Sequence, residues 1–188
     1  MGAFNSNGYL AGDVVIPEGV TDMKQGVVYY PSLVKTLKFP QTLTSLGNSC
    51  FDINREGLYN VSSIKLPKFC TSIGNYAFTS LGTNTSGCQL DIEALNSFNI
   101  GSSCFSASAV SLLNFTSSKT DGFRLILNEH AFYEGTKNLS IQVPINTVLE
   151  LYREVFPNGR TLNINLENIS EIYIKNNYAL ADCLLTNS

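Results

Sequence analysis

The chain repeats one six-residue pattern, which reads LGNSCF at residues 46–51, IGNYAF at 73–78, IGSSCF at 100–105 and LNEHAF at 127–132. The closing phenylalanines are each 27 residues apart (78 − 51, 105 − 78 and 132 − 105). Such a period is typical of a solenoid, in which each unit adds one slice to a shared core. We therefore predict a buried ladder with one ring per unit, formed by Phe51, Phe78, Phe105 and Phe132.

A second pattern, usually apolar–polar–apolar and often closed by proline, precedes the hexamers. It reads VVIP at residues 14–17, LKFP at 37–40, IKLP at 64–67 and IQVP at 141–144, whereas LDI at 90–92 and LNF at 113–115 lack the proline. Alternation of this kind is typical of a strand with one buried face. Proline then ends the strand, because it has no amide hydrogen to donate.

Weaker copies of the hexamer extend the repeat in both directions, as MKQGVV at residues 23–28 and LYREVF at 151–156. Their last residues lie 23 (51 − 28) and 24 (156 − 132) positions from those of the neighbouring copies, so the natural unit is near 23 residues. Loop insertions at 54–59, 82–87 and 117–123, rich in Gly, Asn, Ser and Thr, lengthen the others. We predict a mostly β solenoid of about six to seven units, with parallel strands on one face and short irregular or helical return segments.

Two stretches, LKFPQTLTSLGNSCF at residues 37–51 and IKLPKFCTSIGNYAF at 64–78, resemble the BspA-type leucine-rich repeat. The resemblance extends over roughly residues 13–160. It implies a leucine-rich-repeat solenoid that serves as a binding or adhesion module and engages a host protein, matrix or glycan. It also implies a cell-surface or secreted location, with a virion surface as another setting.

The repeat divides the chain into three regions. We expect an N-terminal tail or cap over residues 1–13, the repeats over 14–161, and a degenerate C-terminal repeat or cap over 162–188. A solenoid needs caps because its open ends expose core. The triplets LNI at 162–164 and IYI at 172–174 are candidates for a last strand and a reduced final unit.

Composition argues against two classes of partner. The chain carries 12 Lys and Arg against 15 Asp and Glu, a net charge of −3, which lacks the basic footprint of nucleic-acid binding. The sequence contains no run of about 18 apolar residues, so we expect no membrane insertion. Its beginning, MGAFNSNG, lacks the charged start and apolar middle of a signal peptide, so a secreted parent protein would carry that signal elsewhere.

The residues with reactive side chains follow the repeat. Cys50 and Cys104 take the position of Ala77 just before the hexamer phenylalanine, which predicts buried free thiols rather than disulfides or metal ligands. The single histidine, His130, takes the position of Tyr76, which predicts a surface residue rather than a catalytic base. We expect no enzyme activity, no cofactor and no metal site.

The outward residues of the strands are the first candidate for a binding surface. If Ile64 and Leu66 point into the core, Lys65 points outward, and the equivalent residues of the other units do the same. The predicted ladder consists of Lys38, Lys65, Asp91, Asn114, Gln142 and Asn163. Neighbours in it would be about 4.8 Å apart. Amide groups offer both donors and acceptors, which suits protein backbone or sugar hydroxyls.

Two other interpretations of the surface stay open. The strand face can simply be solvated, or the loop edge with Tyr29, Tyr30, Tyr59 and Tyr133 can be the recognition surface, because tyrosine brings large contact area with few rotors. We expect a non-enzymatic binding or adhesion module for a protein or carbohydrate ligand. The alternative function is a structural spacer, or a virion or envelope assembly domain that contacts neighbouring subunits.

Overall fold

The computed structural model describes residues 11–28, 31–51, 56–117, 122–156, 159–180 and 184–186. Within these ranges the chain forms fifteen strands and one 3₁₀ turn at Leu166–Asn168. In chain order the strands are β1 Ala11–Val15, β2 Asp22–Met23, β3 Leu33–Lys38, β4 Ser45–Leu46, β5 Ser63–Leu66, β6 Ser72–Ile73, β7 Cys88–Glu93, β8 Ser97–Ile100, β9 Val110–Thr116, β10 Arg124–Leu127, β11 Asn138–Gln142, β12 Thr147–Leu151, β13 Thr161–Ile164, β14 Ile169–Ile174 and β15 Leu184–Thr186.

The described strands form three parallel sheets. A seven-stranded sheet has the order β14-β12-β10-β8-β6-β4-β2, a six-stranded sheet has the order β15-β13-β11-β9-β7-β5, and β1 pairs with β3. Each turn of the chain thus adds one strand to each of two sheets, and we call such a turn a rung. The interstrand hydrogen bonds run along the solenoid axis, since each strand bonds to the equivalent strand of the next rung.

The solenoid prediction is confirmed, and the structure differs from it in one respect. The return segment of each rung was expected to be irregular or helical, but it carries a strand of the seven-stranded sheet. That strand ends at the first residue of the hexamer, and these residues align as Met23, Leu46, Ile73, Ile100, Leu127 and Leu151. Several of these strands are only two residues long, so they leave no alternating pattern in the sequence.

The phenylalanine ladder is the centre of the core, and the prediction of its burial is confirmed. All four predicted rings are at most 1% exposed. They stack nearly parallel, with ring centroids 5.3 Å apart for Phe51 and Phe78, 5.7 Å for Phe78 and Phe105, and 5.3 Å for Phe105 and Phe132. Phe156 from the weaker downstream hexamer continues the stack at 5.5 Å.

The corner after the seven-stranded sheet explains the rest of the hexamer. A Cβ on Gly74 would lie 2.5 Å from the carbonyl carbon of Gly47 in the previous rung, so the close approach of these two rungs requires glycine at residue 74. Two residues later the backbone is left-handed in successive rungs, at Ser49, Tyr76, Ser103, His130 and Glu154. The amides of the first four donate across rungs, as from Ser49 to the carbonyl of Asn75 at 2.8 Å.

The C-terminal region continues both sheets instead of closing them. Strand β13 pairs with β11 and has a buried interior, and β14 and β15 form the last described strands of the two sheets. Residues in core-facing positions are exposed there, at 46% for Ile172, 59% for Ile174 and 41% for Leu185. The region expected to be a degenerate repeat or cap therefore leaves core positions uncovered.

Candidate functional site

Four of the six predicted binding residues lie side by side on the six-stranded sheet. Strand register places Lys65 beside Asp91, Asp91 beside Asn114, and Asn114 beside Gln142. The residues before them in each strand, from Ile64 to Ile141, are buried, so these four side chains face outward. We call Lys65, Asp91, Asn114 and Gln142 the sheet-face row.

The sheet-face row combines one cation, one anion and two amides on a regular surface. Asn114 Nδ2 donates to Asp91 Oδ1 at 2.8 Å, and this bond ties two neighbouring rungs together. Lys65, Asp91 and Gln142 are exposed, and Asn114 is half-buried. With strands about 4.8 Å apart, the row extends over roughly 14 Å. It therefore presents donors and acceptors of both kinds to a ligand laid across the strands.

One predicted member of the ladder, Asn163, is misplaced. It pairs with Ser140, two residues before Gln142, because Ile164 and not Leu162 aligns with Ile141. A shift of two residues keeps a side chain on the same face of the sheet. Asn163 thus faces the outer surface, but in a different row.

The predicted ladder is also interrupted between Lys38 and Lys65. Lys38 is exposed at the end of β3, and it pairs with Val15 of β1, as the alternation of the first two triplets implies. Strand β3 belongs to the two-stranded sheet with β1, and the six-stranded sheet begins at β5. A side chain connects the two rungs here, because Asn60 Nδ2 donates to the carbonyl of Ser32 at 2.7 Å.

The sequence interpretation missed a second outward row on the same sheet. Its aligned members are Ser63, Gln89, Leu112, Ser140 and Asn163. The first four each lie two residues before the member of the sheet-face row in the same strand. Asn163 belongs to the next strand, β13, where it aligns with Ser140. Counting back by two from Lys65 would have found it, because alternate residues share a face. The two rows together form a wide, weakly charged polar surface.

On the outer face of the seven-stranded sheet, the carboxylate of Asp22 accepts hydrogen bonds from three hydroxyl groups, whereas Asp91 in the sheet-face row is bound by Asn114. Ser45 Oγ donates to Asp22 Oδ1 at 2.6 Å, and Thr21 Oγ1 donates to Asp22 Oδ2 at 2.9 Å. These hydrogen bonds, with that from Ser45 the strongest influence, hold the pKa of Asp22 below its ordinary value. The acceptor capacity of Asp22 is thus largely used within the protein.

A buried carboxylate lies near the other end of this sheet. Glu150 is 4% exposed and forms ion pairs with Arg124 and with Lys175, whose Nζ lies 3.8 Å from Glu150 Oε2. Lys175 Nζ also lies 4.9 Å from the centre of the Tyr173 ring. Burial of a charge requires such partners, so this cluster is explained as local stabilisation of the last strands.

His130 lies at the corner of the rung and pairs across to the next rung. Its Nε2 lies 2.8 Å from Glu154 Oε2, and Arg153 Nε donates to Glu154 Oε1 at 3.1 Å. The hydrogen bond with His130, followed by that from Arg153, lowers the pKa of Glu154. Glu154 occupies the same hexamer position as His130 one rung later, and this equivalence was the sequence signal for the pair.

The tyrosines of the predicted loop edge do not form one described surface. Tyr133 is exposed and packs its ring edge-on to His130, with centroids 5.4 Å apart. Tyr59 is half-buried, and Tyr29 and Tyr30 lie outside the described residues. The exposed aromatic group at this corner is therefore Tyr133, with Tyr76 exposed two rungs earlier.

The four described cysteines are buried free thiols, as predicted. Burial raises the pKa of Cys70 and of Cys88 to about 12, and it raises that of Cys50 and of Cys104 as well.

The described residues contain no group of three or more His, Cys, Asp or Glu placed to hold a metal ion. Nor does this part of the chain include a helix with the length and apolarity needed to cross a bilayer.

Comparison with protein families identifies the repeat. The sequence model of the BspA type leucine-rich repeat region, with six copies, matches residues 2–121 and 56–187. The chain belongs to the BspA-type leucine-rich repeat family. No curated protein and no solved structure gives a significant match.

In this BspA-type chain the repeated residues and the variable residues have separate roles. The hexamer places its first residue and its phenylalanine in the core, and its glycine at the corner, as for Ile73, Phe78 and Gly74. The residues that change from rung to rung are the outward ones, from Lys65 to Gln142.

Proposed function

We propose that the chain is a non-catalytic binding module that holds a protein or glycan ligand on the outer face of the six-stranded sheet. The observation that carries this proposal is the register of the sheet-face row, which aligns Lys65, Asp91, Asn114 and Gln142 on four consecutive strands. The BspA-type family supports a setting at a cell surface or outside the cell, where such a module would act in adhesion.

The chemistry of the row favours a polar, extended ligand. Lys65 is a pure donor, ionised Asp91 is a pure acceptor, and the amides of Asn114 and Gln142 are both. The seven-stranded sheet is a weaker candidate because Asp22 and Glu150 are each bound by two or more neighbouring side chains, whereas Asp91 accepts a hydrogen bond from Asn114. A ligand that lies along the solenoid axis would meet a donor or acceptor at each rung, about every 4.8 Å.

Binding can be tested with a glycan array and with pull-downs of candidate surface proteins, using wild type and Lys65→Glu. We expect Lys65→Glu to slow association with the captured ligand and to change its salt dependence, because exposed charges act mainly on encounter rates. The melting temperature should not change, since Lys65 is exposed. Lys24→Glu is the matched control, because Lys24 is equally exposed and follows β2 of the other sheet.

The outcome also separates the sheet face from the corner near His130. If Lys65→Glu binds like wild type while Tyr133→Ala loses binding, the corner is the recognition surface and the sheet-face proposal is wrong. If Lys65→Glu and Lys24→Glu slow association equally, the ligand responds to the net charge of the protein and not to the sheet-face row.

A second function, assembly with neighbouring subunits, is favoured by a separate observation. The core positions Ile172, Ile174 and Leu185 are exposed on the last strands, and large exposed apolar patches are typical of interaction sites. This function does not need the sheet face, so the two proposals can hold or fail independently.

A further inference from the structure

The open end of the solenoid has features of a self-complementary edge. Strand β14 pairs with β12 on one side, and no described strand pairs with its other side. The amide of Lys175 donates to the carbonyl of Leu151 at 2.8 Å, so the backbone groups of Lys175 face β12. Because these groups alternate in direction along a strand, those of Ile172 and Ile174 face the free edge.

The side chains of β14 are arranged symmetrically about Tyr173. Glu171 lies two residues before it and Lys175 two residues after it, while Ile172 and Ile174 flank it directly. If two copies of this strand pair antiparallel with Tyr173 opposite Tyr173, Glu171 of each copy faces Lys175 of the other. Ile172 then faces Ile174. One arrangement thus matches opposite charges and apolar residues at the same time.

The backbone pattern agrees with the same arrangement. In an antiparallel pair, directly opposite residues alternate between those that exchange two hydrogen bonds and those that exchange none. Ile172 and Ile174 have their backbone groups on the free edge, so they would form the bonded pairs. Glu171 and Lys175 would form a pair without mutual backbone bonds, in which opposing side chains lie closer together.

From these contacts we propose that two copies of this chain associate end to end, through antiparallel pairing of their β14 strands. The dimer covers the exposed core positions Ile172 and Ile174 and brings Leu185 of each copy to the same junction. Among the described strands of the seven-stranded sheet, the opposite end offers no match for β14, because β2 has two residues and its core residue Met23 is 2% exposed. A two-fold dimer therefore fits the end better than head-to-tail stacking.

The first test is the molar mass of the chain in solution, measured by light scattering over a range of concentrations. We expect a mass that approaches twice 20.5 kDa as concentration rises. A monomer at every concentration would overturn the proposal, and it would mean that a different partner or a further repeat covers this end.

Charge exchange tests the pairing itself. Glu171→Lys places the new lysine opposite Lys175 in the dimer, and Lys175→Glu places the new glutamate opposite Glu171, so each variant should self-associate at least tenfold more weakly than wild type. In an equimolar mixture of the two variants, the introduced lysine of one faces the introduced glutamate of the other, and the retained Lys175 faces the retained Glu171. The mixture should therefore recover heterodimers, which native mass spectrometry can identify by mass when one of the two variants is labelled with ¹⁵N. No recovery in the mixture contradicts antiparallel pairing centred on Tyr173.

Lys175→Glu also places a negative charge near buried Glu150, so a variant that leaves this cluster intact is needed. Ile174→Pro removes an amide that faces the free edge and is not used by β12, and it should yield a monomer with folded circular dichroism. Lys65→Glu, on the other sheet, is the control and should dimerise like wild type. A dimer that survives Ile174→Pro would have to form elsewhere, and the proposal would fail.

Discussion

Core-facing residues are buried at the N-terminal end of the solenoid and exposed at its C-terminal end. At the N-terminal end, Val14 and Met23 lie on strands with a single described neighbour, and both are buried. At the C-terminal end, Ile172 and Ile174 hold the same kind of core-facing position on strand β14, and both are exposed. A core-facing position is thus not sufficient for burial in this fold.

This difference shows that the burial of a core residue in a repeat protein depends on the rungs beside it. Each rung contacts mainly its neighbours, so a core residue gains most of its burial from the rungs before and after it. Exposure of Ile172 and Ile174 is not a general property of the chain ends, because Met23 at the other end is buried. The C-terminal surface is therefore distinctive, and the following experiments measure how distinctive it is.

The largest effect is expected in the middle of the stack, and it sets the scale for both ends. Phe78→Ala removes a fully buried ring that stacks on Phe51 and Phe105. Truncation of a buried phenylalanine typically lowers the free energy of unfolding by about 3–5 kcal/mol, and we expect a value in that range from urea denaturation.

The matched control for Phe78→Ala is Phe69→Ala, because Phe69 is 49% exposed. It makes the same chemical change outside the core and should cost far less. If the two variants lose similar stability, the ring stack contributes little, and the contrast between interior and end loses its basis.

The second experiment compares the two ends directly. Met23→Ala should lower the free energy of unfolding by about 2–5 kcal/mol, because the side chain is buried. Ile174→Ala should change it by no more than about 0.5 kcal/mol, the range of ordinary surface substitutions. Both are measured by urea denaturation in the Glu171→Lys background, in which the proposed dimer is weakened. Equal losses would show that both ends are covered alike.

The smallest effects are expected from the carboxylates of exposed Asp22 and half-buried Glu154, one toward each end. The pKa values of Asp22 and Glu154 are lowered in the folded state from ordinary values of 3.8 and 4.5. Each group therefore stabilises the fold fully above its ordinary pKa, and this contribution is lost as the pH falls through the lowered folded-state pKa. Asp22→Asn and Glu154→Gln should slightly lower the melting temperature at neutral pH and match wild type in strong acid.

Salt should separate these two carboxylates. Asp22 is held mainly by hydroxyl groups, whereas Glu154 is held by His130 and Arg153. Added salt screens exposed charges, so it should reduce the effect of Glu154→Gln more than that of Asp22→Asn. Thermal melts at low and high salt measure this, and the same salt response for both variants would contradict the assignment.

The sequence predicts most of the core because core residues obey simple counting. The hexamer recurs with its phenylalanine in place, so the burial of Phe51 through Phe132 could be derived without coordinates. The row from Lys65 to Gln142 could also be derived, because each member lies between two buried residues of a recognisable triplet. The local sequence pattern is enough to place a residue wherever one strand register buries clearly more apolar side chains than the alternatives.

Asn163 shows where this reasoning ends. Matching the triplet LNI at 162–164 to IQV at 141–143 aligns Leu162 with Ile141, whereas the structure aligns Ile164 with Ile141. The two alignments differ by two residues and bury the same face, so the apolar pattern does not distinguish them. The contact of His130 with Glu154 does not depend on this register, because both residues take the fourth position of the hexamer in neighbouring rungs.

The direction of the sheet hydrogen bonds has a mechanical consequence. They lie along the long axis, so tension applied between the two ends would open them one strand at a time, as in unzipping, and would not shear many bonds together. Each rung that detaches would release between 23 and 27 residues, according to the spacing of its neighbours. At roughly 3.3–3.6 Å per residue this is about 75–95 Å of extended chain per rung. Under load such a protein yields in small, regular steps from its weakest end.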